Sequence, residues 1–289
     1  MWLRERPVPL EARALVRGAS GYPTALAELR DAPAVLYVRG GELPGFAHAV
    51  AMVGARAATP YGRTIAERLA RDLVAHGITV VSGLARGIDA AAHEGALAGG
   101  GRTVAVLASA VDHVTPSAHA ALAERVACSG AIVSEVAHGG PFGRGAFVKR
   151  NRIIAALSAV TVVVEASESS GSLSTAAAAL ALGRPLLAVP ADVDRPGSRG
   201  TLALLRGGAR VCADAGDVLA ALGPHAAAPC EALDPDQRLR ARLSREPMTV
   251  EHLAVAADLT PADVLARLLR FQWSGLAVSH PGGRWSARA

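Results

Sequence analysis

Short apolar runs rich in β-branched residues alternate with segments of helical periodicity along most of the chain. An apolar run bounded by glycine or polar residues is typical of a strand that is buried on both faces of a sheet. The predicted strands of this kind lie at 49–54, 78–83, 102–109, 131–135, 159–164 and 184–191, with an edge strand at 208–214. Because helical segments connect them, the pattern predicts an α/β fold with a Rossmann-like, doubly wound, mostly parallel sheet.

The two ends of the chain depart from this alternation. Residues 1–45 are predicted as a short N-terminal lead-in with one helical stretch and a strand at 34–39, and residues 46–223 as the sheet domain. Residues 224–233 form a linker rich in proline and alanine, and 234–289 have the pattern of three short helices followed by a hairpin. That order is typical of a winged helix. A helical cap, a dimerisation element or a dock for a partner is the alternative.

Composition limits the classes of function. The chain has 30 basic and 25 acidic side chains, a mild excess that neither requires nor excludes nucleic acid. Cys128, Cys212 and Cys230 are widely spaced and form no metal-ligand pattern, so we expect free thiols and no metal. The N-terminus lacks the apolar core of a signal peptide, and no segment approaches a membrane span. We therefore expect a cytoplasmic protein without a bound cofactor.

The densest cluster of basic residues precedes the predicted strand at 159–164. No acidic residue lies between Glu135 and Glu165, and this interval contains Lys149, the only lysine of the chain. After Glu165, a serine–glycine turn opens a helix whose N-terminus presents free backbone N–H groups. The segment is therefore predicted to bind an anion. Its candidate ligands are Lys149, Arg150, Asn151, Arg152, Ser170, Gly171 and Ser172.

The loops after the first two strands offer similar donors, although their spacing is not that of a GxGxxG dinucleotide fingerprint. An arginine beside a helix N-terminus can bond two phosphate oxygens at once. Asp89 and His93, four residues apart, indicate either acid–base or metal chemistry or a local hydrogen bond that shapes the loop. We favour the hydrogen bond, because no nucleophile or third ligand accompanies them. The candidate phosphate ligands are Gly54, Arg56 and Arg63 in the first loop and Gly83, Arg86 and Gly87 in the second.

Aromatic residues make up only 3% of the chain, and two of them bracket a basic residue in a glycine-rich loop. Phe142 and Phe147 flank Arg144 just before the basic cluster. Alternating aromatic and basic residues hold single-stranded nucleic acid, because bases stack on the rings while cations follow the phosphates. The alternative is that the rings anchor the loop to the core. Both interpretations of Phe147 stay open.

Several motifs, in this order, resemble the DNA-processing protein A (DprA or Smf) family. They are VGAR, SGLARGIDAAAH, FVKRNRII, VVVEASESSGSLSTA, LGRPLLAVPA and GGAR, within about residues 22–222. The resemblance implies a truncated N-terminal helical region, a C-terminal winged helix and a homodimer. It also implies that the protein binds single-stranded DNA, protects incoming strands and helps to load a RecA-type recombinase in natural transformation, without covalent chemistry. Glu165 is then expected to orient a loop, and the C-terminal domain is a candidate contact for duplex DNA.

Two other functions stay open. Nucleoside-monophosphate phosphoribohydrolases have a related fold and place a glutamate over a glycosidic bond, a role that Glu165 beside the 170–175 loop could imitate. Their PGGxGT loop is missing here. The second alternative is a dimerising adaptor that serves the recombinase without contacting DNA. Binding of oligo-dT, without release of base from nucleoside monophosphates, distinguishes these functions.

Overall fold

The structure is a computed structural model that describes residues 12–43, 45–141, 143–223, 235–243, 247–257 and 259–287. The chain forms two compact units: Met1–Ala228, here called the sheet unit, and Pro229–Ala289, the C-terminal unit. The predicted linker 224–233 and Phe142 lie outside the described residues, as does the side chain of Arg144.

A nine-stranded sheet forms the centre of the sheet unit, in the order β1-β2-β6-β5-β4-β3-β7-β8-β9. All pairs from β6 to β9 are parallel, whereas β1 and β2 are antiparallel to their neighbours. The predicted mostly parallel α/β sheet is therefore confirmed. The strands are β1 (Arg13–Val16), β2 (Val35–Gly40), β3 (Ala49–Val53), β4 (Thr79–Ser82), β5 (Thr103–Val106), β6 (Ala131–Ser134), β7 (Val160–Val163), β8 (Leu186–Ala188) and β9 (Arg210–Val211).

Helices cover both faces of this sheet. Val50 and Met52 of β3 pack with Leu69 in one apolar cluster, whereas Ala51 packs with Ile153 in the cluster on the opposite face. Side chains alternate between faces along a strand, so strands covered on both faces are apolar throughout. The helices are α1 (Pro60–Ala75), α2 (Ile88–Ala98), α3 (Ala120–Ser129), α4 (Arg144–Ala156), α5 (Ser172–Ala181), α6 (Arg199–Arg206) and α7 (Ala215–Leu222).

The N-terminal segment, predicted as a short lead-in at 1–45 with a strand at 34–39, contributes two strands to the sheet. Strands β1 and β2 extend the sheet beyond β6, and Leu36 and Val38 of β2 are fully buried in its core. The hydroxyl of Tyr22 donates a hydrogen bond of 2.7 Å to the carbonyl of Pro33 and closes the connection between the two strands. A short antiparallel pair can be added at a sheet edge without a helical crossover, which the sequence pattern does not reveal.

The order of the strands creates a crevice at one edge of the sheet. Strand β3 lies between β4 and β7, so the chain passes to one side after β3 and returns on the other at β7. Helix α1, which follows β3, and helix α5, which follows β7, contribute to different core clusters on opposite faces. Their preceding loops therefore diverge at the carboxyl ends of the strands. Ligands bind at such a switch point in open α/β sheets.

The C-terminal unit contains the three predicted helices and the predicted hairpin. It also contains a strand that was not predicted, β10, because two residues are too few to show a periodic pattern. The side chain of Thr260 accepts a hydrogen bond of 3.1 Å from the amide of Asp263 and caps the third helix. The elements are α8 (Pro235–Arg242), β10 (Met248–Thr249), α9 (Val250–Ala257), α10 (Pro261–Trp273), β11 (Ala277–His280) and β12 (Arg284–Ala287), with sheet order β10-β12-β11.

Within the described residues, none of the helices combines the length and the apolar character that crossing a bilayer requires.

Candidate nucleic-acid interface

A cleft of about 680 Å³ opens at the switch point between β3 and β7. Its walls come from the loops after these strands, the first turns of α4 and the N-terminus of α5. The loop after β3, the loop after β4 and the basic segment with its serine-rich turn, which were predicted separately, thus meet in one cleft. The predicted site residues that line the cleft are Gly54, Arg56, Asp89, Phe147, Arg150, Asn151, Glu165, Ser170, Gly171 and Ser172.

A smaller pocket of about 300 Å³ adjoins the cleft on the side of β4 and β5. Gly83 and Arg86 line it, together with Thr115 and Pro116. The two spaces share Arg56, Ala57, Ala85, Phe147 and Arg150 as a common wall. No acidic residue lines the smaller pocket, so its electrostatic character comes from its arginines.

Two residues of the common wall, Arg56 and Phe147, form a cation–π pair. The guanidinium carbon of Arg56 lies 4.9 Å from the centre of the Phe147 ring. Arg56 and Arg86 are both exposed, and neither takes part in an ion pair among the described residues. These two arginines therefore hold uncompensated charge where the two spaces meet. Phe147 is half-buried, so part of its ring is accessible.

Glu165 orients the loop after β3. Its carboxylate accepts hydrogen bonds from the amide and the hydroxyl of Thr59, at 3.1 and 2.9 Å, and its backbone carbonyl accepts one of 2.7 Å from Ala55. Thr59 in turn caps α1 by accepting from the amide of Gly62 at 3.0 Å. A carboxylate near a helix N-terminus is stabilised by the positive end of the helix dipole. An incoming anion therefore finds the N-terminus of α1 already occupied.

Arg150 and Asp89 form a buried frame beneath the loop after β4. Arg150 is only 4% exposed and donates to the carbonyls of Gly83, at 2.8 Å, and Val106. Asp89 accepts from the amides of Gly83 and Ala85, at 3.2 and 3.4 Å.

Burial lowers the pKa of Arg150 to about 10, although nearby Asp89 opposes the change. Burial raises the pKa of Asp89, against the effect of Arg150. Arg150 thus shapes the cleft floor as well as lining it.

The loops after β3 and β4 touch at Gly87. This residue has φ of +78°, and a Cβ placed on it would lie 2.2 Å from the carbonyl oxygen of Ala55. Only glycine adopts this conformation without strain and admits so close an approach. Gly87 does not line the cleft itself. It is therefore a shaping residue for the loop that carries Arg86.

Asn151 joins α4 to the serine-rich turn. Its side-chain amide donates to the carbonyl of Gly171 at 3.1 Å and to the hydroxyl of Ser174 at 2.8 Å. The hydroxyls of Ser170 and Ser172 lie 2.7 Å apart at the start of α5. The turn is thus held against the basic helix, with its Gly171 and Ser172 amides at the positive end of α5.

Arg152 does not lie in the cleft, contrary to the sequence-based expectation. It donates to both carboxylate oxygens of Glu135, at 3.2 and 2.9 Å, and to the carboxylate of Asp31 at 2.6 Å. Its side chain is 13% exposed. Arg152 therefore ties α4 to the end of β6 and to the N-terminal segment. Two acidic partners from distant parts of the sequence leave it no free hydrogen-bonding edge for a phosphate.

Lys149 and Arg63 also lie outside the residues that line the two spaces. The ammonium group of Lys149 lies 3.3 Å from the carboxylate of Glu135, yet its side chain is 60% exposed. Arg63 is exposed in the first turn of α1 and donates to the carbonyl of Ala58 at 2.6 Å. Neither cation forms part of the surface of the cleft or of the smaller pocket.

His93 is a core residue rather than a loop-shaping partner of Asp89, which corrects the sequence-based interpretation. Its Nδ1 lies 2.7 Å from the hydroxyl oxygen of Thr103 on β5, and that hydroxyl donates to the carbonyl of Val80. Nδ1 must therefore carry the hydrogen, which leaves Nε2 buried without a partner. Burial, reinforced by Arg150 and His119, lowers the pKa of His93 to about 3.

Three features of the site were not predicted from the sequence. Thr59, which precedes Pro60, was detectable as a helix cap, because threonine followed by proline is a signal for a helix start. Gly197 lines the cleft from the segment after β8, and Thr115 and Pro116 line the smaller pocket. No residue pattern marks these last three, because they are themselves uncharged, although their loops carry charged residues such as Asp112, Asp194 and Arg195. Among the described residues, no group of His, Cys, Asp or Glu could hold a metal ion.

Comparison with known proteins gives two family matches. The model described as "DNA recombination-mediator protein A" matches residues 13–223, and the model described as "DprA winged helix domain" matches residues 223–283. The putative DNA processing protein DprA of Mycobacterium tuberculosis H37Rv is 41% identical over 248 residues, which cover 82% of this chain and 64% of that protein. Protein Smf of Escherichia coli K12 is 36% identical over 276 residues, covering 91% and 74%.

Two solved structures are also similar. DNA processing protein A from Streptococcus pneumoniae has a TM-score of 0.67 and 34% identity, covering 72% of this chain and 73% of its own. DNA processing protein A from Helicobacter pylori, studied for its single-stranded DNA binding mode, has a TM-score of 0.67 and 31% identity, covering 74% and 96%. The match to residues 13–223 spans most of this chain. This chain therefore belongs to the DNA recombination-mediator protein A family and carries that family's winged helix domain.

Proposed function

We propose that this protein binds single-stranded DNA in the cleft and the adjoining pocket, with the Arg56–Phe147 pair between two successive parts of the strand. The observation that carries the proposal is this pair, which lies on the wall shared by both spaces. An unpaired base can stack on an aromatic ring while a guanidinium binds the neighbouring phosphate. The Helicobacter pylori relative was studied for its binding of single-stranded DNA, which supports the same ligand class here.

The distribution of charge agrees with this ligand. Arg56 lines both spaces and Arg86 lines the smaller pocket, whereas backbone carbonyls engage Arg150 and carboxylates engage Arg152. The serine-rich turn at the start of α5 adds backbone N–H groups that suit phosphate oxygens. Phosphate contacts of this kind do not depend on base sequence. We therefore expect binding with little sequence preference.

The proposal extends to a role in recombination. As a member of a recombination-mediator family, the protein protects incoming single strands and helps to load a RecA-type recombinase in the cytoplasm during natural transformation. It acts as a homodimer and performs no covalent chemistry. The chain spans 64% of the length of its Mycobacterium tuberculosis relative. These activities therefore rest on membership of the family and not on that one relative.

The test is binding of oligo-dT as a function of salt. Each phosphate contact with a single strand contributes about −0.7 to the log–log slope of affinity against salt. Arg56→Ala and Arg86→Ala should each weaken binding and flatten the slope by about that amount. Arg71→Ala is the matched control, because this exposed arginine lies near the far end of α1, away from the cleft. Unchanged slopes for both cleft variants would refute the assignment.

The same preparation tests the enzymatic alternative. Glu165 is held by Thr59 and lies in the cleft, so a phosphoribohydrolase would use it over a glycosidic bond. We expect no release of base from AMP by the wild-type protein. Release that is lost in Glu165→Gln would establish the enzyme, whatever the affinity for oligo-dT.

A further inference from the structure

The first turn of α5 carries a buried hydroxyl group that has no hydrogen-bond partner. Thr175 is fully buried and lines the cleft, and its Oγ1 atom has no partner among the described residues. A threonine in a helix can donate to the carbonyl four residues earlier. That carbonyl, of Gly171, already accepts from the side chains of Asn151 and Ser174, at 3.1 and 2.8 Å. Because an unpaired buried hydroxyl costs stability, its hydrogen is available to a ligand in the cleft.

Two more hydrogen-bond donors lie in the serine-rich turn that precedes this helix. No described residue accepts a hydrogen bond from the amide of Gly171. The hydroxyl oxygens of Ser170 and Ser172 lie 2.7 Å apart, so one donates to the other and the second hydrogen stays free. Both residues line the cleft at the positive end of the α5 dipole. With the Thr175 hydroxyl, the start of α5 thus offers three donors.

The acidic residues of the cleft leave an anion only this helix. Glu165 accepts hydrogen bonds from Thr59 at the start of α1, and Asp89 accepts from the amides of Gly83 and Ala85. Like charges repel strongly where water is excluded, so an anion is unfavourable beside either carboxylate. The N-terminus of α5 is therefore the favoured place for a phosphate in the cleft.

The number and the depth of the three donors fit the end of a phosphorylated molecule. An internal phosphodiester has two free oxygens and continues as a chain on both sides. A terminal phosphomonoester has three free oxygens, one for each donor, and carries about 1.5 to 2 negative charges near neutral pH. Ser172 is 7% exposed and Thr175 is 0% exposed. A phosphate that reaches both residues must therefore enter end-on.

We infer that the start of α5 is a subsite for a phosphomonoester, carried either by the end of a single strand or by a free nucleoside monophosphate. The inference deepens the proposed function and rests on it for the position of the strand. A strand end held at α5 leaves the following nucleotides to the wall formed by Arg56 and Phe147. Contacts to a terminal phosphate read no base, so they add affinity without sequence preference.

Titration of the full chain with oligo-dT of one length and different ends tests the subsite. The strand whose 5′ or 3′ end carries the phosphate that the subsite takes should bind at least about tenfold more tightly than the hydroxyl-ended strand, because charge-assisted hydrogen bonds are strong. Methyl esterification of that phosphate blocks its third oxygen and should remove most of the gain. Equal affinity for all these strands, together with no binding of dTMP, would overturn the inference.

Thr175→Val removes the hydroxyl and keeps the branched shape of the side chain. It should abolish most of the difference in affinity between phosphorylated and hydroxyl-ended strands. Thr161→Val is the matched control, because Thr161 on β7 is equally buried, has an unpartnered hydroxyl and lines neither space. Neither variant should lower the urea midpoint of unfolding, since each removes a buried hydroxyl without a partner. If both variants or neither lost the difference, Thr175 would not be a phosphate ligand.

Competition by mononucleotides separates the two sources of the phosphate. In both cases dTMP should compete at a lower concentration than thymidine, and Thr175→Val should weaken dTMP. A gain from the terminal phosphate of oligo-dT assigns the subsite to strand ends, whereas binding of dTMP without that gain assigns it to free mononucleotides. The salt slope of the hydroxyl-ended strand in Arg56→Ala and Arg86→Ala tests the cleft proposal alone, so its failure is distinguishable from failure of the subsite.

Discussion

At the scale of single residues, burial and acidic partners separate arginines that are close in the fold. Arg150 donates its hydrogen bonds to backbone carbonyls and Arg152 donates to carboxylates. Arg56 and Arg86, by contrast, are exposed beside the cleft. A guanidinium whose donors are already satisfied gains little from a phosphate, because it would have to give up equivalent hydrogen bonds. The contribution of an arginine to binding thus depends on its contacts rather than on its position in a basic run.

Phe147 offers a test of stacking. Phe147→Ala should lower the affinity for oligo-dT by roughly ten- to a hundred-fold, since base stacking on an aromatic ring contributes about 1–3 kcal/mol. Affinity for an abasic strand of equal charge should fall much less, because that strand has no base to lose. Parallel titrations of the two ligands give the comparison. Equal losses would make Phe147 an anchor of the loop and support for Arg56 only.

His93 makes the stability of the sheet unit depend on pH. Its pKa is about 3 in the folded chain, against 6.5 for the ordinary group, so protons bind more strongly to the unfolded state between these values. The free energy of unfolding should therefore be highest above pH 6.5 and fall as the pH drops toward 3, by at most about 1.4 kcal/mol per pH unit. Denaturant titrations over this range measure the slope.

The control for this prediction is His93→Asn, which keeps a side-chain N–H toward Thr103 but does not titrate. Asp89, whose pKa is raised by burial, acts in the opposite direction and is present in both proteins. The difference between wild type and variant therefore isolates His93. A difference that stays constant from pH 7 to pH 4 would contradict the depressed pKa.

At the scale of elements, the site depends on how loops contact one another. Gly87→Ala should destabilise the sheet unit by at least about 1–2 kcal/mol, because alanine at positive φ is strained and its Cβ would meet the Ala55 carbonyl. The affinity for oligo-dT should fall as well, since this loop carries Arg86. Urea unfolding and oligonucleotide titration report the two effects.

Gly145→Ala is the matched glycine control in α4. A Cβ at this position would meet no atom within 4 Å, and alanine is a better helix former than glycine. We expect unfolding midpoints equal to or slightly above those of the wild type. If both glycine variants were equally destabilised, the contact between the two loops would not be the cause.

At the scale of the whole molecule, the candidate DNA ligands all belong to the sheet unit, Met1–Ala228. A chain that ends at Ala228 should therefore bind oligo-dT with the same salt slope as the full chain and keep a preference for single strands over duplex. Competition between the two ligands at fixed salt measures that preference. Its loss on truncation would transfer the strand-selecting site to the C-terminal unit.

The sequence by itself determined the elements and their class. Apolar strands, glycine breaks and helix caps act over a few residues, so the strands β3 to β9 and the C-terminal helices were predictable from local pattern. Motif order also identified the family, which the match over residues 13–223 confirms. The basic run and the serine-rich turn marked the edge of the sheet at which the cleft opens, because the carboxyl ends of parallel strands converge there.

Only the tertiary structure decided which charged groups are available and where the N-terminal segment packs. Arg152 is neutralised by Asp31 and Glu135, which lie 121 and 17 residues away in the chain. His93 is buried against Thr103, although its spacing suggested Asp89. Strand β2 pairs with β6 rather than with β3, the strand that follows it in the sequence, and β1 adds to the sheet outside β2. Contacts between distant residues leave no periodic trace in the sequence, whereas local structure does, and burial is set by those distant contacts.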